Sequence, residues 1–403
     1  MTGRQRPGRR QFLSSAGLLV GGAALGTAGG VRLGQDGSHQ PAPAAASSAD
    51  PPIAFDGTHQ AGVVERPPAS LRFLALDLSA GAGTTAGLRA VLQRLSMTAR
   101  LLMAGDWPAG TDGIATGLRP AGLTVTIGIG GSGLVKAGRP VPPPLQPLPA
   151  FAGDHLQPAR SGGDLGVQIC GEDALVVAAA TRALLTAVRP DAAVRWSQAG
   201  FLRGAAATDA QATPRNLMGQ LDGTDNPTGA RQRLAVWVPA GVAPAWMANG
   251  SYLVCRRIRM LLDSWERLDL ATQEAVIGRR KDTGAPLTGH AEHDDPDFAA
   301  EQDGRPVIAA GAHLRLTHPA NNAGASMLRR GYAFDDGLDA AGQPDLGLFF
   351  QAFQTDLHRV FVPIQRKLAA GDALRRFIRH EASALFAIPA GASPGGFVGE
   401  ALF

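Results

Sequence analysis

An aspartate, a histidine and an arginine carry the chemistry that this chain is equipped to do. Asp222 lies in Gly219-Gln220-Leu221-Asp222-Gly223, a G-x-x-D-G pattern followed by Thr224, Asp225 and Asn226. Flanking glycines let the backbone turn sharply and bring a carboxylate close to a ligand. The same pattern also marks ordinary turns, where Gly, Asp and Asn serve local hydrogen bonds, and Asp225 fits that plainer reading. Downstream come Ala312-His313-Leu314-Arg315-Leu316-Thr317-His318-Pro319 and then Met327-Leu328-Arg329-Arg330-Gly331-Tyr332. A carboxylate takes and returns a proton. A guanidinium is a permanently charged donor for a developing oxyanion. An imidazole binds a metal through one nitrogen while the partner of the other orients it. Of nine histidines, His39 and His59 fall in an Ala/Pro-rich stretch, His155 in a Pro-rich loop, His290 and His293 in an acidic loop, and His358 and His380 on expected late helices. His318, five residues after His313, is its local competitor.

Three other motifs point elsewhere. Gly128-Ile129-Gly130-Gly131-Ser132-Gly133 fits the G-x-G-x-x-G dinucleotide fingerprint and follows an expected strand. The prolines at 140, 142, 143 and 144 forbid the long helix whose N-terminus should hold a pyrophosphate. His290-Ala291-Glu292-His293-Asp294-Asp295 has divalent-metal ligand types, although such a run also reads as a solvated acidic loop. A serine hydrolase, whose nucleophile elbow places G-x-S-x-G on a strand-to-helix turn, is disfavoured. The two cysteines, Cys170 and Cys255, are too few for a disulfide framework or a cysteine metal site; they are expected as buried free thiols, with a single disulfide as the alternative.

Gly8-Arg9-Arg10-Gln11-Phe12-Leu13-Ser14 followed by an uncharged stretch from Ala16 to Val31 reads as a twin-arginine export signal. Residues 1–45 are assigned to that signal region and 46–70 to a flexible linker rich in Ala, Pro, Ser and Gly. The run is too Gly/Ala-rich for a standard membrane span, with an uncleaved anchor as the alternative. The net charge of +4 includes Arg4, Arg6, Arg9 and Arg10, so the remainder is near neutral. It carries no basic stripe of the kind that marks nucleic-acid binding.

The remaining residues, enough for a large core, divide into halves at 71–210 and 211–403. In the first, Phe73–Leu78 reads as a strand, and Leu88, Val91, Leu92, Leu95 and Leu102 mark one face of a helix. Strands at Leu123–Ile129 and Leu165–Cys170, a helix at Asp173–Val188 and a strand at Ala193–Phe201 complete a β-α-β-β-α-β order. In the second half, Leu234–Val238, Ser251–Ile258 and Leu346–Phe353 read as strands and Leu261–Ala275 and Leu357–Ala369 as helices, interrupted by a long segment from Gly278 to Gly331. The expected fold is α+β: two ferredoxin-like units whose antiparallel sheets pack into a sandwich or barrel, with a cofactor pocket between the halves.

The G-x-x-D-G loop, the histidine segment and the Leu-Arg-Arg-Gly-Tyr segment, in that order, resemble the haem-site signature of the dye-decolourising peroxidases over about Phe73 to Pro389. The resemblance implies haem b, one per chain, with His313 as the proximal iron ligand. It implies Asp222 and Arg329 as the distal catalytic pair, with Gly223 and Thr224 beside the haem and Arg330 on a propionate. Asp356 and Asp372 are candidates to hold His313. Tyr252, Tyr332, Trp246 and Trp265 are open either to hole transfer or to plain packing. The implied activity reduces hydrogen peroxide and oxidises phenolic or dye-like donors by one-electron steps. The alternative is a cell-envelope haem-binding and iron-release protein, as in the deferrochelatase-like branch. Twin-arginine export of a folded, haem-loaded protein to the periplasm, envelope or exterior suits either.

Overall fold

The computed structural model describes residues 51–108, 112–203, 212–242 and 244–403; the twin-arginine segment and the start of the expected linker lie outside the described residues. Strands β1 (Ser70–Leu78), β2 (Thr124–Gly130), β3 (Leu165–Gly171) and β4 (Ala192–Phe201) belong to the first half, with helices α1 (Thr85–Ala104), α2 (Asp112–Ala115), α3 (Gly131–Lys136) and α4 (Ala174–Val188). The second half supplies α5 (Gly229–Val236), β5 (Ser251–Met260), α6 (Leu262–Trp265), α7 (Leu270–Ile277), a small hairpin of β6 (Glu301–Gln302) and β7 (Arg305–Pro306), and α8 (His313–Thr317). It continues with β8 (Leu328–Arg329), β9 (Tyr332–Leu338), β10 (Pro344–Gln354), α9 (Phe361–Gly371) and β11 (Ile378–Ile388).

Strand pairing shows the internal duplication. The first half runs β2-β3-β1-β4 and the second β9-β10-β5-β11, so both have the ferredoxin-like order in which the first strand sits between the third and the fourth. The halves join edge to edge, β11 to β2 and β4 to β9. Because β5 pairs with both β10 and β11, the sheet closes into an eight-stranded barrel and these strands leave no long free edge.

Alternation along each strand divides the side chains between two environments. On β1, Leu71, Phe73 and Ala75 point into the barrel with Cys170, Cys255, Phe349 and Phe386. Leu74, Leu76 and Leu78 face the other way, beneath α1 and α4. Helix α1 forms because Leu88, Val91, Leu92, Leu95 and Leu102 fall on one buried stripe and the Thr84 hydroxyl accepts the Gly87 N–H at 3.0 Å. Asp173 caps α4 in the same way, accepting from Leu175 and Val176. Each such Leu contributes about 2 kcal/mol by its burial.

Several expectations are corrected. Leu234–Val238 is not a strand; it falls in helix α5 and its exit, with Leu234 79% exposed, because the run is too short to override the helix-favouring residues before it. The helix expected from Leu261 breaks into α6 and α7 where Asp269 caps the second, accepting from Thr272 at 2.7 Å. Asp356 bonds the N–H groups of His358 and Arg359 and delays α9 to Phe361. His358 therefore lies in a turn, and His380 lies on β11. Strands β9 and β11, absent from the sequence reading, complete the second unit. The expected flexible linker is packed from Phe55 onward: Phe55, Ala61 and Val63 are buried, and Gln60 bonds both backbone groups of Ile127 and the Pro389 carbonyl. Both cysteines are free and buried. Among the described residues no helix is long and apolar enough to cross a membrane.

Candidate active site

A cavity of about 480 Å³ lies on the outer face of the second half's sheet. Ile258 and Met260 of β5, Leu348 and Phe350 of β10 and Ile378 of β11 line one side; Leu314 and Thr317 of α8 and Phe361, Ile364 and Leu368 of α9 line the other. Only Ala152, Gly153 and His155 come from the first half. The pocket thus belongs to one ferredoxin-like unit instead of lying between the two, as the sequence suggested. The apolar side chains on the sheet and on the helices suit a flat, mostly hydrophobic ligand.

His313, Asp222 and Arg329 all reach this cavity. His313 opens the short helix α8, and its Nδ1 lies 2.7 Å from Oδ2 of Asp372, which is 3% exposed. Of the two candidate partners, Asp372 is therefore the one in contact. Its other oxygen accepts the Leu374 N–H at 2.8 Å. The approach depends on Gly311, where a Cβ would meet the Gly371 carbonyl oxygen at 2.9 Å, while the Gly311 carbonyl accepts the Ala373 N–H at 2.9 Å. These contacts dock α8 against the end of α9. Burial pushes the imidazole's pKa down, but the Asp372 charge and hydrogen bond outweigh it, so the net shift is upward. Holding Nδ1 leaves Nε2 as the ring nitrogen able to coordinate a metal, the arrangement that raises ligand basicity at metal sites. His318 also borders the cavity, but its Nδ1 accepts the Ala320 N–H and its ring sits edge-on to Phe298; burial lowers its pKa, and among the described residues no carboxylate bonds it.

Asp222 and Arg329 meet, Nη1 to Oδ1, at 3.7 Å. The loop that carries Asp222 is folded by its own bonds. The Asp222 N–H donates to Pro214, Asn216 Nδ2 donates to Asp222 Oδ2 at 3.4 Å, and Gly223 holds φ at +129°, where a side chain would be strained. Gly223 and Thr224 line the cavity, with the Thr224 hydroxyl committed to Glu292 Oε1 at 2.9 Å.

Asn226, which the sequence reading passed over, ties the loop of Asp222 to the strand of Arg329. Its Oδ1 accepts the Arg329 N–H at 3.0 Å, and its Nδ2 donates to the Arg329 carbonyl at 2.8 Å. Arg329 faces Ala352 of β10, and in antiparallel sheets alternate residues turn both backbone groups away from the partner strand. Asn226 takes up those two groups as a neighbouring strand would. No spacing rule points to such a role; only the juxtaposition of the G-x-x-D-G loop with β8 does.

Arg330 is not a cavity residue. Successive side chains on a strand point to opposite faces, so with Arg329 turned toward the cavity Arg330 enters the barrel. There it is 2% exposed and bonds the Glu65 carbonyl, close to Cys170 and Tyr332. The expectation that it holds a propionate is overturned. Tyr252, Tyr332 and Trp265 are fully buried and Trp246 nearly so, placements that their packing explains. Other guanidiniums reach the cavity instead: Arg256, Arg279, Arg375, Arg376 and Arg379. Arg256 is paired with Asp154, while Arg375, Arg376 and Arg379 form no ion pair among the described residues. His380 beside Arg256 is pushed down to about 3 by burial and by that charge, so it stays neutral. An apolar slab, an imidazole backed by a buried carboxylate and unpaired arginines for carboxylate groups together fit haem.

A duplicated α+β barrel with such a pocket in its second unit is the architecture of a haem peroxidase. Profiles described as Dyp-type peroxidase, N-terminal, and Dyp-type peroxidase, C-terminal, match residues 60–202 and 213–393, and the chain belongs to that family. It is 43% identical to a dye-decolorizing peroxidase of Thermobifida fusca over 100% of this chain and 98% of that one. It is also 33% identical to a deferrochelatase of Shigella flexneri, over 99% and 98%. Among solved structures, DtpA from Streptomyces lividans superposes with a TM-score of 0.84 at 49% identity, covering 88% of this chain and 98% of that one. The protein is therefore a haem-binding peroxidase, acting on hydrogen peroxide and a reducing substrate.

Proposed function

We propose that the protein would hold one haem b in the cavity, with His313 as its iron ligand, and uses Asp222 and Arg329 to cleave hydrogen peroxide at the expense of phenolic or dye-like donors oxidised one electron at a time. The observation that carries this reading is that one cavity is bordered both by the His313–Asp372 pair and by the Asp222–Arg329 pair. Haem supplies the redox-active iron that takes two oxidising equivalents from peroxide and hands them on singly. Asp222, as a carboxylate, accepts the proton of one peroxide oxygen and returns it to the other. Arg329 steadies the negative charge on the departing oxygen. Asp372 fixes the His313 ring and its tautomer. Two of Arg375, Arg376 and Arg379 pair with the propionates in place of Arg330. Export through the twin-arginine machinery to the periplasm, envelope or exterior follows from the N-terminal motif.

The test is spectral and kinetic. Purified protein should show a Soret band at one haem per chain, change that band rapidly with one equivalent of peroxide, and recover it as a phenolic donor is consumed. A haem-loaded protein that leaves peroxide and donor untouched yet passes iron to an acceptor would instead match the deferrochelatase named among its relatives.

A further inference from the structure

Three of the chain's seven methionines, Met218, Met260 and Met327, line the active-site cavity. They are only 3%, 6% and 9% exposed. Met327 and Met218 reach, from separate elements, the cavity that Asp222 and Arg329 also border. Met327 stands two residues before Arg329, on the same side of the extended chain, and both border the cavity. Met218 lies in the loop that carries Asp222, where Asn216 accepts the Met218 N–H at 3.0 Å and donates to Asp222 at 3.4 Å. The remaining methionines are elsewhere: among them, Met97 is 57% exposed on α1, while Met103 and Met247 are fully buried in the main core. A thioether is oxidised by peroxide in a two-electron step that needs no radical, and its sulfoxide is polar where the thioether was apolar.

We propose that Met327, with Met218 on the same cavity, is an internal oxygen acceptor of the peroxide site, oxidised to the sulfoxide when no reducing donor is at hand. In this step the sulfur lone pair attacks one peroxide oxygen. The S–O bond forms, the O–O bond breaks, and the second oxygen leaves with both protons as water. Sulfur loses two electrons and peroxide gains two. Arg329 steadies the leaving oxygen and Asp222 carries the proton between the two oxygens, so the groups that cleave peroxide for turnover also direct it onto the protein's own sulfur. The inserted oxygen makes an apolar wall beside Arg329 polar, and donor-starved enzyme loses activity as a consequence. The inference rests on the function proposed above, because it brings peroxide to Asp222 and Arg329.

Haem-loaded protein is treated with a few equivalents of hydrogen peroxide without donor, and digested peptides are mapped by mass spectrometry. One added oxygen is expected on Met327 and Met218 before it appears on Met97, with Met103 and Met247 unmodified. Asp222→Asn should delay the cavity sites until they trail Met97. Met327→Leu, which preserves apolar volume, should shift the modification to Met218 and slow the loss of donor-oxidising activity during peroxide exposure. Oxidation of Met97 ahead of the cavity methionines, or of Met103 and Met247 together with Met327 as in an unfolding protein, overturns the proposal. So does an unchanged order in Asp222→Asn. Donor turnover measured in the same sample separates the readings: normal turnover with a clean Met327 removes this inference alone, and absent turnover removes the proposed function.

Discussion

Replacing Asn226 with alanine tests whether the amide clamp, rather than Arg329 alone, sets the distal geometry. The substitution deletes two hydrogen bonds, of 2.8 and 3.0 Å, to the backbone of Arg329. A neutral hydrogen bond contributes about 1 kcal/mol net, so the pair accounts for about 2 kcal/mol, less whatever water restores at this half-buried site. The electrostatic consequence is similar in size. At a separation of 3.7 Å between Arg329 and Asp222, with an effective dielectric of about 20, a retreat of about 1 Å weakens the attraction by about 1 kcal/mol. If about 2 kcal/mol is lost from the transition state, peroxide cleavage slows by about 30-fold. Haem binding should survive, because His313, Asp372 and the apolar walls are untouched. The assay is the rate of the Soret change after stopped-flow mixing with peroxide, read beside the haem-to-protein ratio and the melting temperature. A variant with the wild-type peroxide rate would refute the clamp, as would one whose rate loss merely tracks its loss of haem.

His313→Ala should lose most of its haem, measured as the ratio of Soret to protein absorbance; full occupancy with an unchanged spectrum would transfer the ligand role to His318. Arg329→Leu should keep haem yet slow the reaction with peroxide by about 100-fold or more, since removing a preorganised donor costs about 3 kcal/mol; a wild-type rate would remove Arg329 from the mechanism. In the haem-free protein the raised pKa of His313 is a stability statement. The His313–Asp372 ion pair contributes fully below the unfolded value of about 6.5 and is lost as pH rises through the higher folded value. The melting-temperature gap between wild type and His313→Gln should therefore narrow from mildly acidic to alkaline pH, and a gap that widens would contradict the assigned shift.

What the sequence disclosed and what it concealed divide along physical lines. Helix α1 and strands β1 to β4 were legible because burial on one face imposes a period of 3.6 or 2 on residues such as Leu88, Val91, Leu92 and Leu95. Strand β11 escaped because Ile378, Arg379 and His380 at its start all border the cavity and Glu381 follows, so polar residues interrupt the apolar alternation there. A strand that contributes polar groups to a pocket gives up the apolar alternation by which strands are recognised. Asp222, His313 and Arg329 stood out by their motifs, but motifs do not assign faces. Arg329 and Arg330 are adjacent and chemically identical, and only the pairing of β8 with β10 sends one to the cavity and the other into the barrel. Asp372 and Asn226 act across 59 and 103 residues of sequence separation, distances at which a single sequence carries no local signal. The candidate catalytic residues therefore stood out by their types, while those that hold them in position emerged only once the barrel had closed.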